Sequence, residues 1–192
     1  MANSDIQFYL GFEGQIDLFR LYEDNHTYFS PKLMGQTFGQ TKNAIVNSRT
    51  GLGVLGGVTI KQLLGIELGY NHFNKIHLAN DSQVPNALPY SIQSQQKTIY
   101  IDAYLQYPLF LDESITPIIG AGLGFDFIEQ VETEVQKIDA KKIKSTSYHL
   151  NVGSKFKLND NFQLRVLMTY HFKNKDAHKN YLASKLGLIY HF

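Results

Sequence analysis

The stretch that decides the fold is residues 186–192, Leu-Gly-Leu-Ile-Tyr-His-Phe (LGLIYHF). One parity of this stretch is apolar throughout, and its members are Leu186, Leu188, Tyr190 and Phe192. The opposite parity includes Lys185, Gly187 and His191. A period of two residues is typical of a β-strand with one apolar face.

The same alternation occurs in seven further segments, which are residues 7–18, 49–60, 64–71, 99–107, 116–128, 147–158 and 162–172. Apolar residues do not recur at three and four positions as a helix requires, and β-branched and aromatic residues are frequent. All eight segments are therefore predicted to be strands.

The connections between the segments alternate in length. Short polar turns are predicted around 61–62, 112–114 and 159–161, and the remaining connections are longer. This pattern predicts a single all-β domain over residues 1–192, an eight-stranded antiparallel up-and-down barrel with its short turns at one end and its long loops at the other. Pairing of the first strand with the last removes both sheet edges.

Composition excludes several classes of protein. The net charge of +1 gives no basic footprint for nucleic acid, and the absence of cysteine excludes disulfides and thiolate metal sites. No window has the roughly 20 apolar residues of a membrane helix. The first residues do not form a signal peptide, so an exported protein would be present here as a mature form with an added Met1.

The charged residues of the strands indicate which face is outside. They share one parity with most of the strand glycines, and they are Glu13, Asp17, Arg49, Glu67, Asp102, Asp126, Lys155, Lys157, Arg165 and Lys185. Glycine makes a poor water-facing surface but leaves room inside a narrow barrel. The pattern therefore favours an apolar face toward lipid and a charged lumen. A soluble lipocalin-like barrel that binds an apolar ligand is the alternative.

Three stretches resemble small outer-membrane β-barrel proteins of Gram-negative bacteria, of the opacity-protein and OmpA transmembrane-domain type. They are TPIIGAGLGFDF (116–127), LNDNFQLRVLMTYHF (158–172) and LGLIYHF (186–192). The resemblance covers essentially the whole chain and implies a bacterial outer-membrane location. It also implies that Phe192, Tyr190 and Leu188 form a signal read by the barrel-assembly machinery.

Six strand charges are expected at similar depth in the lumen: Glu13, Glu67, Asp102, Lys155, Arg165 and Lys185. The resemblance implies that they form a network of salt bridges that plugs the barrel. Buried ions need partners in any case, so a structural role is the simplest reading. A gated ion path is the alternative.

His149 and His171 are expected to face inward on adjacent strands, near the mouth at the long-loop end. They could hold a metal or act as a pH-sensitive latch, but no third ligand is fixed by spacing, and polar filling of the lumen is the simpler reading. Ser147 shares a face with His149, yet no acid completes a catalytic set. We therefore assign no catalytic, cofactor-binding or metal-binding residue, and an outer-membrane lipid-modifying enzyme remains a minor alternative.

The long loops are the expected functional surface. The first contains Tyr22, His26, Tyr28, Phe29 and Lys32, and the third contains Glu129, Glu132, Glu134, Lys137, Lys141, Lys142 and Lys144. We expect a monomer with a structural or adhesive role, in contact with outer-membrane lipid and lipopolysaccharide and with a host or matrix ligand at its loops.

Overall fold

The computed structural model describes residues 6–18, 48–79, 90–109, 114–134, 137–172 and 180–192. Its strands are β1 (Ile6–Leu18), β2 (Ser48–Ile60), β3 (Leu64–Phe73), β4 (Ile76–Ala79), β5 (Tyr90–Gln106), β6 (Ile115–Glu134), β7 (Lys137–Lys157), β8 (Phe162–Phe172) and β9 (Tyr181–His191). The described residues contain no helix long and apolar enough to cross a membrane.

The strands form one closed antiparallel barrel. β1 pairs with both β2 and β9, and the remaining neighbours follow in chain order. β3 and the short β4 both pair with β5, on either side of an interruption at Asn74 and Lys75, so the nine segments make eight barrel strands. The predicted eight-stranded up-and-down barrel is confirmed.

The register fixes the tilt of the strands. From Gly14, the partners through β2, β3, β5 and β6 lead to Lys144 on β7. The opposite route, through β9 and β8, leads to Ser154, ten positions away on the same strand. This offset is the shear of the barrel, and for eight strands it corresponds to a tilt of about 40°.

Two ends of the barrel can be distinguished. The turn end holds the short connections and the last residue, whose backbone N–H donates to the carbonyl of Phe8 at 3.2 Å. The loop end lies opposite. There the third connection differs from the prediction, because β6 and β7 continue as paired strands until Glu134 faces Lys137. The residues expected in the first loop lie outside the described part of the chain.

The tightest turn joins β2 to β3. Lys61 and Gln62 have φ of 50° and 55°, and the N–H of Leu63 donates to the carbonyl of Ile60 at 3.0 Å. Two successive residues with positive φ are characteristic of a type I′ turn, in which Asn-Gly is the preferred pair. Neither native residue is suited to this conformation.

We therefore predict that Lys61→Asn combined with Gln62→Gly stabilises the barrel by about 1 kcal/mol, since both residues favour positive φ. Urea unfolding followed by circular dichroism in micelles measures the change. Lys61→Val with Gln62→Val should act in the opposite direction. A loss of stability in the Asn-Gly variant would contradict this account of the turn.

The two faces of the wall are sorted as predicted. Large apolar side chains point outward along every barrel strand and remain exposed, for example Phe12, Leu52, Ile101, Leu123, Leu150 and Leu188. Of the strand charges named above, all except Lys157 are buried. Lys157 lies at the turn end, where its Nζ is 3.1 Å from Asp160 Oδ1. Soluble monomers rarely expose so continuous an apolar surface.

The lumen also contains an apolar layer that the alternation did not predict. Leu55, Ile118, Leu167 and Ile189 interrupt the polar parity and are buried. Ile118 and Ile189 lie near the turn end, and Leu55 and Leu167 lie midway along their strands. Leu55 and Ile189 pack with Tyr9, and the other two pack with Tyr104.

Candidate functional site

The centre of the lumen is organised around one guanidinium group. Arg165 on β8 is 1% exposed and contacts two buried carboxylates. Its Nη2 donates to Glu13 Oε2 at 2.9 Å, and its Nη1 donates to Glu67 Oε2 at 2.5 Å. Lys185 adds a second cation, with its Nζ 3.5 Å from Glu13 Oε1. Two acids and two bases therefore neutralise one another inside the barrel.

Two phenol groups complete the central cluster. Tyr100 donates to Glu13 Oε1 at 2.9 Å and is 3.3 Å from Glu67 Oε1, while Tyr9 donates to Glu67 Oε2 at 3.1 Å. The ammonium group of Lys185 also lies over the Tyr100 ring, 4.3 Å from its centroid. These donors satisfy carboxylate oxygens that the cations leave partly unpaired, as buried charges require.

Glycine makes the central contact possible across three strands. Gly187 on β9 faces Glu13 on one side and Arg165 on the other. A bulky side chain at position 187 would occupy the path of the guanidinium group over β9, whereas the Cβ of an alanine would lie 3.7 Å from Arg165 Nε, in ordinary contact. The sequence therefore places a gap between the two ion partners.

A second glycine has the same position between Asp102 and His149. Gly122 on β6 faces both of them, and His149 Nε2 lies 2.5 Å from Asp102 Oδ1 above it. Tyr104 donates to the other oxygen of Asp102 at 2.6 Å. The acid that the sequence could not assign to His149 is therefore Asp102, from two strands away.

The two glycines are expected to respond differently to substitution by alanine. A Cβ on Gly122 would lie 1.7 Å from Asp102 Oδ1 and 2.6 Å from the carbonyl of Ile101, whereas on Gly187 its nearest atom would be 3.3 Å away. We expect Gly122→Ala to destabilise the barrel by about 1–3 kcal/mol through overpacking. Gly187→Ala is the matched control and should change stability by less than about 0.5 kcal/mol. Equal urea midpoints for the two variants would contradict the packing argument.

Lys155 does not belong to the ion pairs of the central cluster, contrary to the expectation from its depth. Its Nζ donates to Gln106 Oε1 at 2.8 Å and lies 5.2 Å from the centroid of the Tyr9 ring. The tilt of the strands moves it toward the turn end, away from the carboxylates. Of the six predicted lumen charges, the structure joins Glu13, Glu67, Arg165 and Lys185, and gives Asp102 and Lys155 other partners.

A third polar cluster, which the sequence did not predict, lies toward the loop end. Arg49 contacts Asp17 and Gln96, and Gln96 donates to Asp126 Oδ1 at 2.8 Å. The Arg49 guanidinium carbon also lies 4.1 Å from the centroid of the Phe73 ring. The sequence places Arg49, Asp17 and Asp126 on the inward face by their parity, but which of these side chains contact one another depends on the register of the closed barrel.

His149 and His171 face each other directly across β7 and β8, with ring centroids 5.1 Å apart. The ring of His171 also stacks on the ring of Tyr181, with centroids 4.3 Å apart. Together with Ser147 they border a small cavity between the central and loop-end clusters. Within the described ranges, no three His, Asp or Glu side chains are grouped as metal ligands would be.

The residues of the predicted assembly signal lie on the lipid-facing wall. Leu188, Tyr190 and Phe192 all point outward and are exposed at the turn end. The Tyr190 ring contacts Phe162 and Phe192, with centroids 5.1 Å and 5.3 Å apart. Recognition of these residues by the assembly machinery stays a prediction.

Comparison with known folds agrees with this architecture. The N-terminal β-barrel domain of Pseudomonas aeruginosa OprF has a TM-score of 0.53 at 12% identity, covering 96% of this chain and 97% of that one. Yersinia pestis Ail, in complex with the heparin analogue sucrose octasulfate, has a TM-score of 0.54 at 11% sequence identity, and the match covers 97% of each chain. OprG from P. aeruginosa has a TM-score of 0.54 at 15% sequence identity, and the match covers 97% of this chain and 95% of that one. No curated protein sequence matches the chain.

Family comparison extends over nearly all of the sequence. Residues 2–192 match the family described as outer membrane protein beta-barrel domain. The closed eight-stranded wall, its apolar outer face and its buried charges are what such a domain requires. The chain therefore belongs to the outer membrane protein beta-barrel family and is a protein of the bacterial outer membrane.

Proposed function

We propose that the protein is a monomeric, non-conducting surface barrel with an adhesive role, and that its binding surface is the part of the β5–β7 sheet that continues beyond the membrane. The loop end then faces the outside of the cell. A closed lumen would leave this exposed sheet, together with the neighbouring loops, as the functional part of the molecule.

The observation that carries the proposal is the length of the strands. The outward face of β6 is apolar as far as Phe127, but the strand continues to Glu134. There it remains paired with Tyr90 of β5 and with Lys137 of β7. An ordered sheet that projects from the bilayer has no use in spanning it, and a rigid extended surface suits recognition of a partner.

Deletion of the projecting hairpin tests the adhesive role. Glu129 and Lys142 face each other, so residues 130–141 can be replaced by an Asn-Gly turn without changing the remaining register. Cells that display the shortened barrel should attach to matrix-coated or heparin-coated surfaces no better than cells without the protein. Heparin is included because the Ail structure contains a heparin analogue. A barrel with Asn159–Asn161 replaced at the opposite end is the control, and undiminished attachment of the hairpin deletion would contradict the proposal.

The proposed closure of the lumen rests on three groups of buried side chains. The loop-end cluster around Arg49, the central cluster around Arg165 and the apolar group of Leu55, Ile118, Leu167 and Ile189 fill the interior of the described barrel. We expect no conductance steps from the purified barrel in a planar bilayer. Regular single-channel steps would show that the lumen charges line an ion path instead.

We also propose a structural rather than catalytic role for Ser147 and His149. His149 is held by Asp102 inside the lumen, and Ser147 and His149 both line the internal cavity, away from the lipid that an acyl hydrolase must reach. Incubation of the refolded barrel with labelled phospholipid or lipid A should release no acyl chain. Release that disappears in Ser147→Ala would support the enzyme reading.

A further inference from the structure

The outer face changes from apolar to polar at a definite point on each of four neighbouring strands. The continuous run of apolar outward residues ends at Tyr70 on β3, Ile99 on β5, Phe127 on β6 and Tyr148 on β7. Val131 on β6 and Ala140 on β7 lie farther out, beyond charged outward residues. On β3, β5 and β6 the next outward residues are His72, Lys97 and Glu129, and on β7 they are Thr146 and then Lys144. This change marks the edge of the hydrocarbon region at the loop end.

Lysine is concentrated just beyond this edge. Lys97 and Lys144 face outward on either side of Phe127, which is the register partner of both. Lys75 and Lys142 lie farther out on the same side of the barrel and are exposed. We call these four lysines the basic face. Glu129 is the one acidic side chain described among them, and its 3.8 Å contact with Lys142 is exposed.

The basic face is confined to one side of the barrel. On β1, β2, β8 and β9 no described outward side chain near the loop end is charged, and residues such as Ile16, Thr50, Phe172 and Ser184 occupy these positions. The ammonium groups of Lys97 and Lys144 have no carboxylate partner among the residues that the structure describes. Their charge is therefore available to a ligand outside the chain.

The tilt of the strands spreads the lysines in depth. A line of register partners climbs toward the loop end from β3 to β7 by about 3 Å per strand, so Lys144 lies about 3 Å farther out than Phe127 and about 6 Å farther out than Lys97. Cations at two depths beside an aromatic ring fit a lipid whose anionic groups extend outward from its acyl chains.

We propose that the basic face binds the phosphorylated headgroup of the outer-leaflet glycolipid, lipopolysaccharide, with Lys97 and Lys144 as its main phosphate contacts and Phe127 against the acyl–sugar boundary. Long lysine side chains can lie along apolar surface while the ammonium group reaches the headgroups. Electrostatic attraction to anionic headgroups adds to affinity with each lysine near the membrane surface. The inference is independent of the proposed adhesive role, because its ligand is the surrounding lipid.

Lipid retention tests the proposal. Refolded barrel in detergent is titrated with lipid A that carries both phosphates, and bound lipid is counted by native mass spectrometry. Lys97→Gln with Lys144→Gln should bind roughly 10- to 30-fold more weakly than the unmodified protein. Lys97→Arg with Lys144→Arg should retain binding, since the charge is kept. Lys61→Gln with Lys157→Gln, at the turn end, is the matched control and should bind normally.

Dephosphorylated lipid A distinguishes phosphate recognition from simple burial of lysine stems. It should bind weakly and equally to all four proteins. Equal affinity for the two lipids, or full binding by the Lys97→Gln, Lys144→Gln barrel, would overturn the proposal. Heat-dependent gel mobility confirms that each variant is folded before the lipid is added.

Discussion

Arg165→Met is expected to destabilise the barrel by about 3–5 kcal/mol, the cost of removing one partner from a buried ion pair. The substitution preserves most of the side-chain volume but leaves Glu13 and Glu67 facing each other without the guanidinium group. Lys185 contacts only Glu13, so it cannot neutralise both carboxylates. The barrel should then unfold at a much lower urea concentration.

The same cluster provides a control for this effect. When Glu67→Gln is added to Arg165→Met, Glu13 stays paired with Lys185 and no unpaired carboxylate remains, so most of the lost stability should return. The chain has no tryptophan, so unfolding is followed by circular dichroism and heat-dependent gel mobility. If the double variant is no more stable than the single one, shape rather than charge determines the contribution of Arg165.

The sequence alone predicts which residues face the lumen, because side-chain parity is a local property of a strand. It cannot predict most of the partners. Arg165 and Glu13 are 152 positions apart, and they meet only because β9 lies between β8 and β1 with a glycine at the crossing point. Asp102 and His149 meet in the same way above Gly122, so the acid partner of His149 was missed.

The projecting hairpin was missed for a different reason. Residues 129–144 lack apolar alternation, since both faces of a sheet beyond the membrane can meet water, and the charged stretch was interpreted as a loop. In the structure β6 and β7 continue through this stretch, because β6 remains paired with β5 on one side and with β7 on the other. Lys155 shows the same limitation, because its distance from the carboxylates depends on the shear of the barrel rather than on its place along β7.

Leu123→Arg tests the assignment of the outer face to lipid. Leu123 points outward near the middle of the apolar band of β6 and is 40% exposed. A charged side chain there must be solvated within hydrocarbon, so we expect a loss of about 2–4 kcal/mol in the free energy of folding into vesicles.

Val131→Arg is the matched control for this substitution. Val131 has the same parity on the same strand and is 36% exposed, but it lies beyond Phe127 and past the outward-facing Glu129. Arginine at this depth should change stability by less than about 0.5 kcal/mol. Because the two sites differ in depth rather than in exposure, a large difference between them measures contact with hydrocarbon. Similar costs at both positions would mean that the edge of the membrane does not lie between them.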